Sequence, residues 1–240
     1  MNVLDYFGRV SVISLLSRTD RRRDMARELE RHGMPIRPGK VEFFDAFRPE
    51  EAAGFPSIGL HGCYLSHLGV LRQARDAGAA RVLVFEDDAQ ISRQFDKYQE
   101  QLVAQLRRED WGIVYFGHPL DTGASATDVP RLIPHVGAFD LAHFYGVNGQ
   151  ALDRLVRFLE GCLTRPPGHP EGGPMSPDGA LSVFRERNPD LPTLIASPNL
   201  GWQRSSRTDN HALRWFDRAP IVRDAVAVAR RARAIAGSFR

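Results

Sequence analysis

The chain has 240 residues, a formal net charge of +3 and 42% hydrophobic residues, as expected for a globular protein built around one α/β domain. Its only cysteines are Cys63 and Cys162, which excludes a disulfide framework and a zinc cage made of cysteines. The apolar segment near the N-terminus is too short for a signal peptide or a membrane span, so we expect a cytoplasmic protein.

The first half of the chain alternates short β-branched runs with amphipathic segments. Three apolar runs predict buried strands: VSVISL (10–15), VEFFDA (41–46) and RVLVF (81–85). Two segments between these runs carry apolar residues near helical spacing and predict helices: 17–34 and 59–78. The third run ends in three consecutive acids, Glu86, Asp87 and Asp88.

The second half continues this alternation. Helices are predicted at 93–108, at 149–161 with Gly161 as the stop, and at 178–187. Strands are predicted at 111–117, as a shorter pair within 131–148, and at 193–197. The loop 164–179 is rich in proline and glycine and is typical of a lid or binding loop. A polar segment, 198–211, and a last helix that begins at Pro220 complete the chain.

Strands that alternate with helices predict an open, mostly parallel α/β sheet with helices on both faces. In such folds ligands bind outside the carboxyl ends of the strands, and Glu86, Asp87 and Asp88 follow one of those ends. Adjacent negative charges repel each other and resist losing their water, so a purely structural role would bring little stability. The acids therefore indicate a ligand site.

Carboxylates grouped at the end of a strand are typical ligands of Mg²⁺ or Mn²⁺. An ion of this kind can neutralise the charge of a nucleoside-diphosphate leaving group. The residues alone leave a second interpretation open, in which Asp87 and Asp88 cap the following turn and Glu86 pairs with an arginine.

The segment GLHGCYLSHLGVLRQARDAGAARVLVFEDDA (59–89) resembles the core signature of glycosyltransferase family 25. In that signature a helix with a G-x-x-x-C-x-x-S-H run leads into a strand that ends in Glu-Asp-Asp. Other pieces resemble the family in the same order: VISLLSRTDRRRDM, EFFDA, DWGIVYFG, HFYGVNGQALDRLV, SPDGAL and SPNLGWQRSS. The resemblance spans residues 10–207. The family includes bacterial lipooligosaccharide galactosyltransferases and is related to the procollagen galactosyltransferases.

This resemblance implies a GT-A-like single domain over residues 1–218, in which the nucleotide-binding sheet is continuous with an acceptor lobe. It implies inverting transfer of a hexose, most often galactose, from a UDP-sugar to a hydroxyl of a glycan or glycolipid. Lipopolysaccharide, lipooligosaccharide or another cell-surface glycan would be the product. The implied cofactor is a divalent metal, Mn²⁺ before Mg²⁺.

The resemblance also assigns expected roles to single residues. Asp88 is the expected metal ligand, and Glu86 and Asp87 are expected to contact the ribose or sugar of the donor. Asp178 matches the second acidic motif of the family and is the candidate base for the acceptor hydroxyl, or an acceptor contact. Asp178 is also suited to be the N-cap of the helix that follows it, so both roles stay open.

Further candidates come from the flanking motifs. The candidates for binding the donor are Arg21, Arg22, Ser66 and His67. The candidates for binding the acceptor are Gln203 and Ser205, and His211 is a candidate second metal ligand. A solvated helix face is the alternative for the arginines, and a structural hydrogen bond is the alternative for His67.

Residues 219–240 predict a basic amphipathic helix that docks on the protein body or on an anionic inner-membrane surface. Two rival functions share the acids: a metal-dependent phosphohydrolase, and a non-catalytic relative that binds a nucleotide sugar or carbohydrate. The scattered histidines argue against the first, and the intact acids argue against the second. Nucleic acid is not an expected partner, because the arginines are dispersed along the chain.

Overall fold

The computed structural model describes residues 1–204. Their helices are α1 Val3–Phe7, α2 Thr19–Arg31, α3 Ile58–Asp76, α4 Arg93–Arg108, α5 Gly149–Thr164 and α6 Pro177–Arg187. Their strands are β1 Val10–Ser14, β2 Val41–Asp45, β3 Arg81–Glu86, β4 Ala89–Ile91, β5 Ile113–Tyr115, β6 Arg131–Pro134, β7 Phe144–Asn148, β8 Thr193–Ser197 and β9 Gly201–Gln203. The predicted helix at 219–240, and with it the boundary of the predicted domain at residue 218, lie outside the described residues.

A seven-stranded sheet forms the centre of the molecule, in the order β2-β1-β3-β7-β5-β8-β6. Five strands run in one direction, and β6 and β7 run in the other, because β7 pairs antiparallel with both β3 and β5 and β6 pairs antiparallel with β8. The predicted α/β fold with a mostly parallel sheet is therefore confirmed. A separate two-stranded ribbon joins β4 to β9.

Two apolar cores cover the two faces of the sheet, and β3 contributes to both. Leu83 and Phe85 pack in the core under α1, α2 and α4, whereas Val82 and Val84 pack in the core under α3, α5 and α6. Alternate side chains of a strand point to opposite faces, so a strand covered on both sides needs a continuous apolar run. The run RVLVF meets this need and continues directly into the acids.

The structure differs from the prediction at several element boundaries. Helix α5 continues through Gly161 to Thr164, and the next turn buries Cys162 completely. Ser176, rather than Asp178, is the N-cap of α6, because its backbone is extended and the helix begins at Pro177; the backbone nitrogen of Gly179 donates to the side chains of both Ser176 and Asp178. The short elements α1, β4 and β9 were not predicted, since three to five residues carry too little periodicity.

Candidate active site

A cleft of about 580 Å³ lies at the carboxyl ends of β1, β2 and β3. Several of its lining residues were predicted from the sequence to bind donor, metal or acceptor: Arg21, Ser66, Glu86, Asp87, Asp88, Asp178 and Gln203. They come from α2, α3, the end of β3, α6 and β9, which are far apart in the chain. The fold thus gathers the two acidic motifs at one cleft.

Asp87 is held in place by two partners. Its Oδ2 accepts a hydrogen bond of 2.6 Å from the hydroxyl of Ser14, at the end of β1. Its Oδ1 lies 2.8 Å from a guanidinium nitrogen of Arg21, in the first turns of α2. Both side chains of this ion pair are largely buried, so Asp87 fixes the position of Arg21 at the floor of the cleft.

Asp88 is buried with less compensation. Its side chain lies 3.5 Å from Arg21, but its Oδ1 has no hydrogen-bond partner among the described residues. Burial raises the pKa of Asp88 to about 7, the charges of Glu86 and Asp87 add to this effect, and Arg21 offsets part of it. A carboxylate of this kind gains from a cation beside it.

Glu86 completes the acidic group and contacts both α3 and β9. Its Oε1 lies 3.3 Å from Nε2 of His67, and its Oε2 accepts a hydrogen bond of 3.0 Å from the amide of Gln203. Burial alone would raise the pKa of Glu86, but the hydrogen bond and charge of His67 outweigh it and lower that pKa. Glu86 is therefore ionised, and its oxygens can only accept hydrogen bonds.

His67 lies between Glu86 and Tyr145. Its Nε2 faces the carboxylate of Glu86 at 3.3 Å, and its Nδ1 lies 3.0 Å from the hydroxyl of Tyr145, which can donate or accept. His67 is 2% exposed, and it is missing from the residues that line the cleft in the described part of the chain. His67 therefore contacts Glu86 from the buried side and not from the cleft.

Asp178 belongs to another wall of the cleft, in the first turn of α6. Its Oδ2 accepts a hydrogen bond of 3.1 Å from the backbone nitrogen of Leu141. Leu141 also lines the cleft and has a φ of 87°, a left-handed conformation that is costly for a residue with a side chain. Asp178 thus holds a strained loop against the cleft.

The side chains of two other predicted residues, Ser66 and Arg22, form their polar contacts within the protein. The hydroxyl of Ser66 donates to the carbonyl of Gly62 at 2.6 Å and accepts from the backbone nitrogen of Phe47 at 2.8 Å. Arg22 donates to the carbonyl of Ser14, forms an ion pair with Asp45 and stacks over Phe43. Arg22 is not one of the described residues that line the cleft. Ser205 and His211 lie outside the described residues.

Three residues of the site were not singled out from the sequence. Ser14 and Tyr145 hold Asp87 and His67, and neither contact has a signal in the chain, because each joins residues more than 70 positions apart. Cys63 lines the cleft one helical turn before His67. Cys63 did have a signal in the sequence: it precedes His67 by four residues, and residues four apart lie on the same face of a helix.

The oxygen atoms around Asp88 fit a hard divalent cation. Asp88 offers a buried oxygen without a partner, and its raised pKa shows that negative charge there lacks compensation. The oxygens of Asp87 and Glu86 already accept hydrogen bonds from the protein. Among the three acids, Asp88 is thus the one with a carboxylate oxygen that accepts no hydrogen bond from the described residues, as a ligand of a hard cation would.

Comparison with known proteins supports the resemblance to glycosyltransferase family 25. Residues 8–120 match the family model described as glycosyltransferase family 25 (LPS biosynthesis protein), which confirms the resemblance seen in the sequence. The lacto-N-neotetraose biosynthesis glycosyltransferase LgtB of Neisseria meningitidis is 34% identical over 101 residues, 36% of this chain and 35% of that protein.

Two human proteins are also similar. The inactive glycosyltransferase 25 family member 3 is 31% identical over 129 residues, 46% of this chain and 22% of that protein. Procollagen galactosyltransferase 2 is 24% identical over 202 residues, 76% of this chain and 31% of that protein. The matched region thus spans about a third or less of each of these relatives.

Proposed function

We propose that this chain, which belongs to glycosyltransferase family 25 through residues 8–120, transfers a hexose from a nucleotide sugar to a hydroxyl of a glycan acceptor. The observation that carries the proposal is the cleft itself. It combines the only partly compensated carboxylate of Asp88, at the carboxyl end of β3, with a second acid, Asp178, from a separate wall. Donor activation and proton removal need two such groups in one cleft.

The donor side of the proposal is a UDP-sugar, with UDP-galactose first, held near the acidic end of β3. Asp88 would hold Mn²⁺ or Mg²⁺, and Glu86 and Asp87 would contact the ribose or the sugar. When bound, the ion would offset the negative charge of the departing nucleoside diphosphate. Arg21, which Asp87 fixes in the cleft, supplies a positive charge for the same phosphates.

The acceptor side of the proposal is a hydroxyl directed at the anomeric carbon, with inversion of its configuration. In-line attack by a neutral hydroxyl needs a group that takes its proton as the new C–O bond forms. Asp178 is the proposed base, since it lines the cleft and belongs to a different element from the donor acids. Gln203, at the end of β9, is a proposed acceptor contact, because it lines the cleft and its amide donates to Glu86.

We place this reaction in the synthesis of lipopolysaccharide or another cell-surface glycan. The acceptor would then be a glycolipid, and the enzyme would act in the cytoplasm at the inner-membrane surface. No helix among residues 1–204 has both the length and the apolar character needed to cross a membrane.

A second candidate is a binding protein that keeps the fold without turnover, which is favoured by the similarity to an inactive member of the family. A metal-dependent phosphohydrolase is the third. UDP release separates the three functions. A transferase releases UDP from its own donor when the acceptor is present, a binder releases none, and a hydrolase cleaves many phosphate esters.

The first test is thermal stability with a panel of nucleotide sugars, each with and without Mn²⁺. A ligand that binds only the folded state raises the melting temperature, so UDP-galactose should do so only when Mn²⁺ is present. Asp88→Asn should abolish this shift, whereas Asp190→Asn, an exposed acid outside the cleft, should keep it. A full Mn²⁺-dependent shift in Asp88→Asn would contradict the assignment of the metal ligand.

Asp178→Asn tests the proposed base. We expect donor binding to persist and kcat for transfer to fall by about 10²–10⁴-fold, because asparagine cannot accept the proton. Donor affinity comes from the same thermal assay, and turnover comes from UDP release with a glycan acceptor. Loss of donor affinity in this variant would move Asp178 to the nucleotide side of the cleft.

A further inference from the structure

Cys63, His67 and Glu86 form a second group of possible metal ligands at the edge of the cleft. The sulfur of Cys63, a ring nitrogen of His67 and a carboxylate oxygen of Glu86 all lie within 4.8 Å of one another. Cys63 and His67 project from the same face of α3, one turn apart, toward the end of β3. Asp88 is not a member of this group.

The chemistry of this ligand set differs from that of a Mg²⁺ or Mn²⁺ site. A thiolate, an imidazole and a carboxylate are the common protein ligands of Zn²⁺, whereas hard cations prefer oxygen alone. Atoms bound to one zinc ion lie about 3–4 Å apart, so small side-chain movements would bring these three within coordinating distance. Cys63 and Glu86 both line the cleft, which gives an ion access from solvent.

The surroundings of His67 are also those of a metal ligand. Its Nδ1 faces the hydroxyl of Tyr145 at 3.0 Å, and this hydroxyl can either donate or accept. With a metal on Nε2, the neutral ring would carry its proton on Nδ1 and donate it to the oxygen of Tyr145. Histidine ligands usually have such an outer partner, which orients the ring.

We propose that Cys63, His67 and Glu86 form a binding site for Zn²⁺ or a similar thiol-seeking cation, and that its occupation inhibits donor binding. Coordination releases the thiol proton of Cys63 and leaves one position on the ion for water or an anion. The ion takes the carboxylate of Glu86 away from the donor and occupies part of the cleft. The inhibition rests on the proposed function, but the binding of the ion does not.

Co²⁺ titration of the full chain, with no nucleotide sugar present, tests the site. Cobalt replaces zinc and gives a thiolate-to-cobalt absorption band when cysteine is a ligand. We expect this band in the wild type, its loss in Cys63→Ser, and its retention in Cys162→Ala, which changes the other cysteine, buried in the core. Zinc measured after dialysis should be one equivalent per chain in the wild type and absent in Cys63→Ser.

Two further measurements distinguish a metal site from an isolated reactive thiol. Tyr145→Phe keeps the thiol but should weaken zinc binding by roughly 10–100-fold, because His67 loses its outer partner. Zn²⁺ should also slow the alkylation of Cys63 in the wild type. An absorption band that survives in Cys63→Ser, or alkylation that Zn²⁺ does not slow, would overturn the site.

The inhibitory effect is measured separately, with the donor. One equivalent of Zn²⁺ should remove the Mn²⁺-dependent thermal shift with UDP-galactose in the wild type and leave that shift intact in Cys63→Ser. Donor binding that is unchanged in zinc-loaded wild type would overturn the inhibition. If no nucleotide sugar binds at all, the proposed function fails, while the cobalt titration still decides the metal site.

Discussion

Two buried acidic groups in this molecule have the same charge but opposite surroundings. At the acidic end of β3, Asp88 has an oxygen without a partner among the described residues, and its pKa is raised to about 7. Beneath the ribbon of β4 and β9, the carboxylate of Glu28 is 3% exposed, and contacts with His32 and the backbone of Ile91 help to lower its pKa against the effect of burial.

Every oxygen of Glu28 has a partner. Oε1 accepts a hydrogen bond of 2.8 Å from the backbone nitrogen of Ile91, and Oε2 pairs with Arg31 and, at 3.4 Å, with Arg204. His32 lies 3.6 Å from Glu28 and 2.7 Å from Asp96 of α4. A buried acid whose oxygens all have partners holds structural elements together. A buried acid that lacks such partners gains more when a ligand supplies them.

The largest effect on stability should come from removing the compensated acid. Glu28→Ala removes the carboxylate that faces Arg204 and the backbone nitrogen of Ile91, and it leaves His32 with Asp96 as its remaining acid, so we expect the free energy of unfolding to fall by about 3–5 kcal/mol. Urea denaturation measures this change. Glu30→Ala, on the exposed side of the same helix, should stay within about 0.5 kcal/mol of the wild type. An equal loss of unfolding free energy in the two variants would contradict the structural role of Glu28.

Removing the uncompensated acid should have the opposite sign. Folded Asp88 keeps its proton up to about pH 7, whereas the unfolded chain releases it near 3.8, so the wild type loses stability as the pH rises through this interval. Asp88→Asn carries no charge. Without divalent cations it should therefore melt several degrees above the wild type at a pH above about 7, and at the same temperature below about 3.8.

Its neighbour provides the matched control. Asp87→Asn loses the ion pair with Arg21 and weakens the hydrogen bond from Ser14, so it should lower the melting temperature over the same range. Added Mn²⁺ should remove most of the advantage of Asp88→Asn, because the ion supplies the missing positive charge to the wild type. A destabilised Asp88→Asn at alkaline pH would contradict the idea that this acid is uncompensated.

The smallest predicted effect is the alkaline pH dependence that His32 introduces. Burial alone would lower the pKa of His32, but hydrogen bonds to Asp96 and Glu28 outweigh it and raise that pKa to about 9. This stabilisation is complete below the ordinary pKa of 6.5 and is lost as the pH rises through about 9. His32→Gln should flatten the decline in melting temperature across this window, and His169→Gln, outside the cluster, should keep it.

The fold was largely predictable because its strands are strong local signals. VSVIS and RVLVF are β-branched or aromatic runs bounded by polar residues, and both form central strands. The antiparallel insertion of β7 between β3 and β5 was not predictable, since strand order depends on how the helices pack and not on the composition of a strand. The predicted end of α5 at Gly161 was wrong, because glycine costs a helix only about 1 kcal/mol relative to alanine and the helix continues to Thr164.

The sequence by itself determined the α/β class, the resemblance to glycosyltransferase family 25 and the two acidic motifs, because strand patterns and motif spacing are properties of neighbouring residues. Only the tertiary structure decided which acids are compensated. Asp87 and Asp88 are adjacent in the chain, yet Ser14 donates a hydrogen bond to Asp87, and Arg21 lies 2.8 Å from Asp87 but 3.5 Å from Asp88. It also decided that Cys63 and His67 meet Glu86. Burial and the hydrogen-bond and ion-pair partners of an acid set its charge state, and both arise only when distant segments pack together.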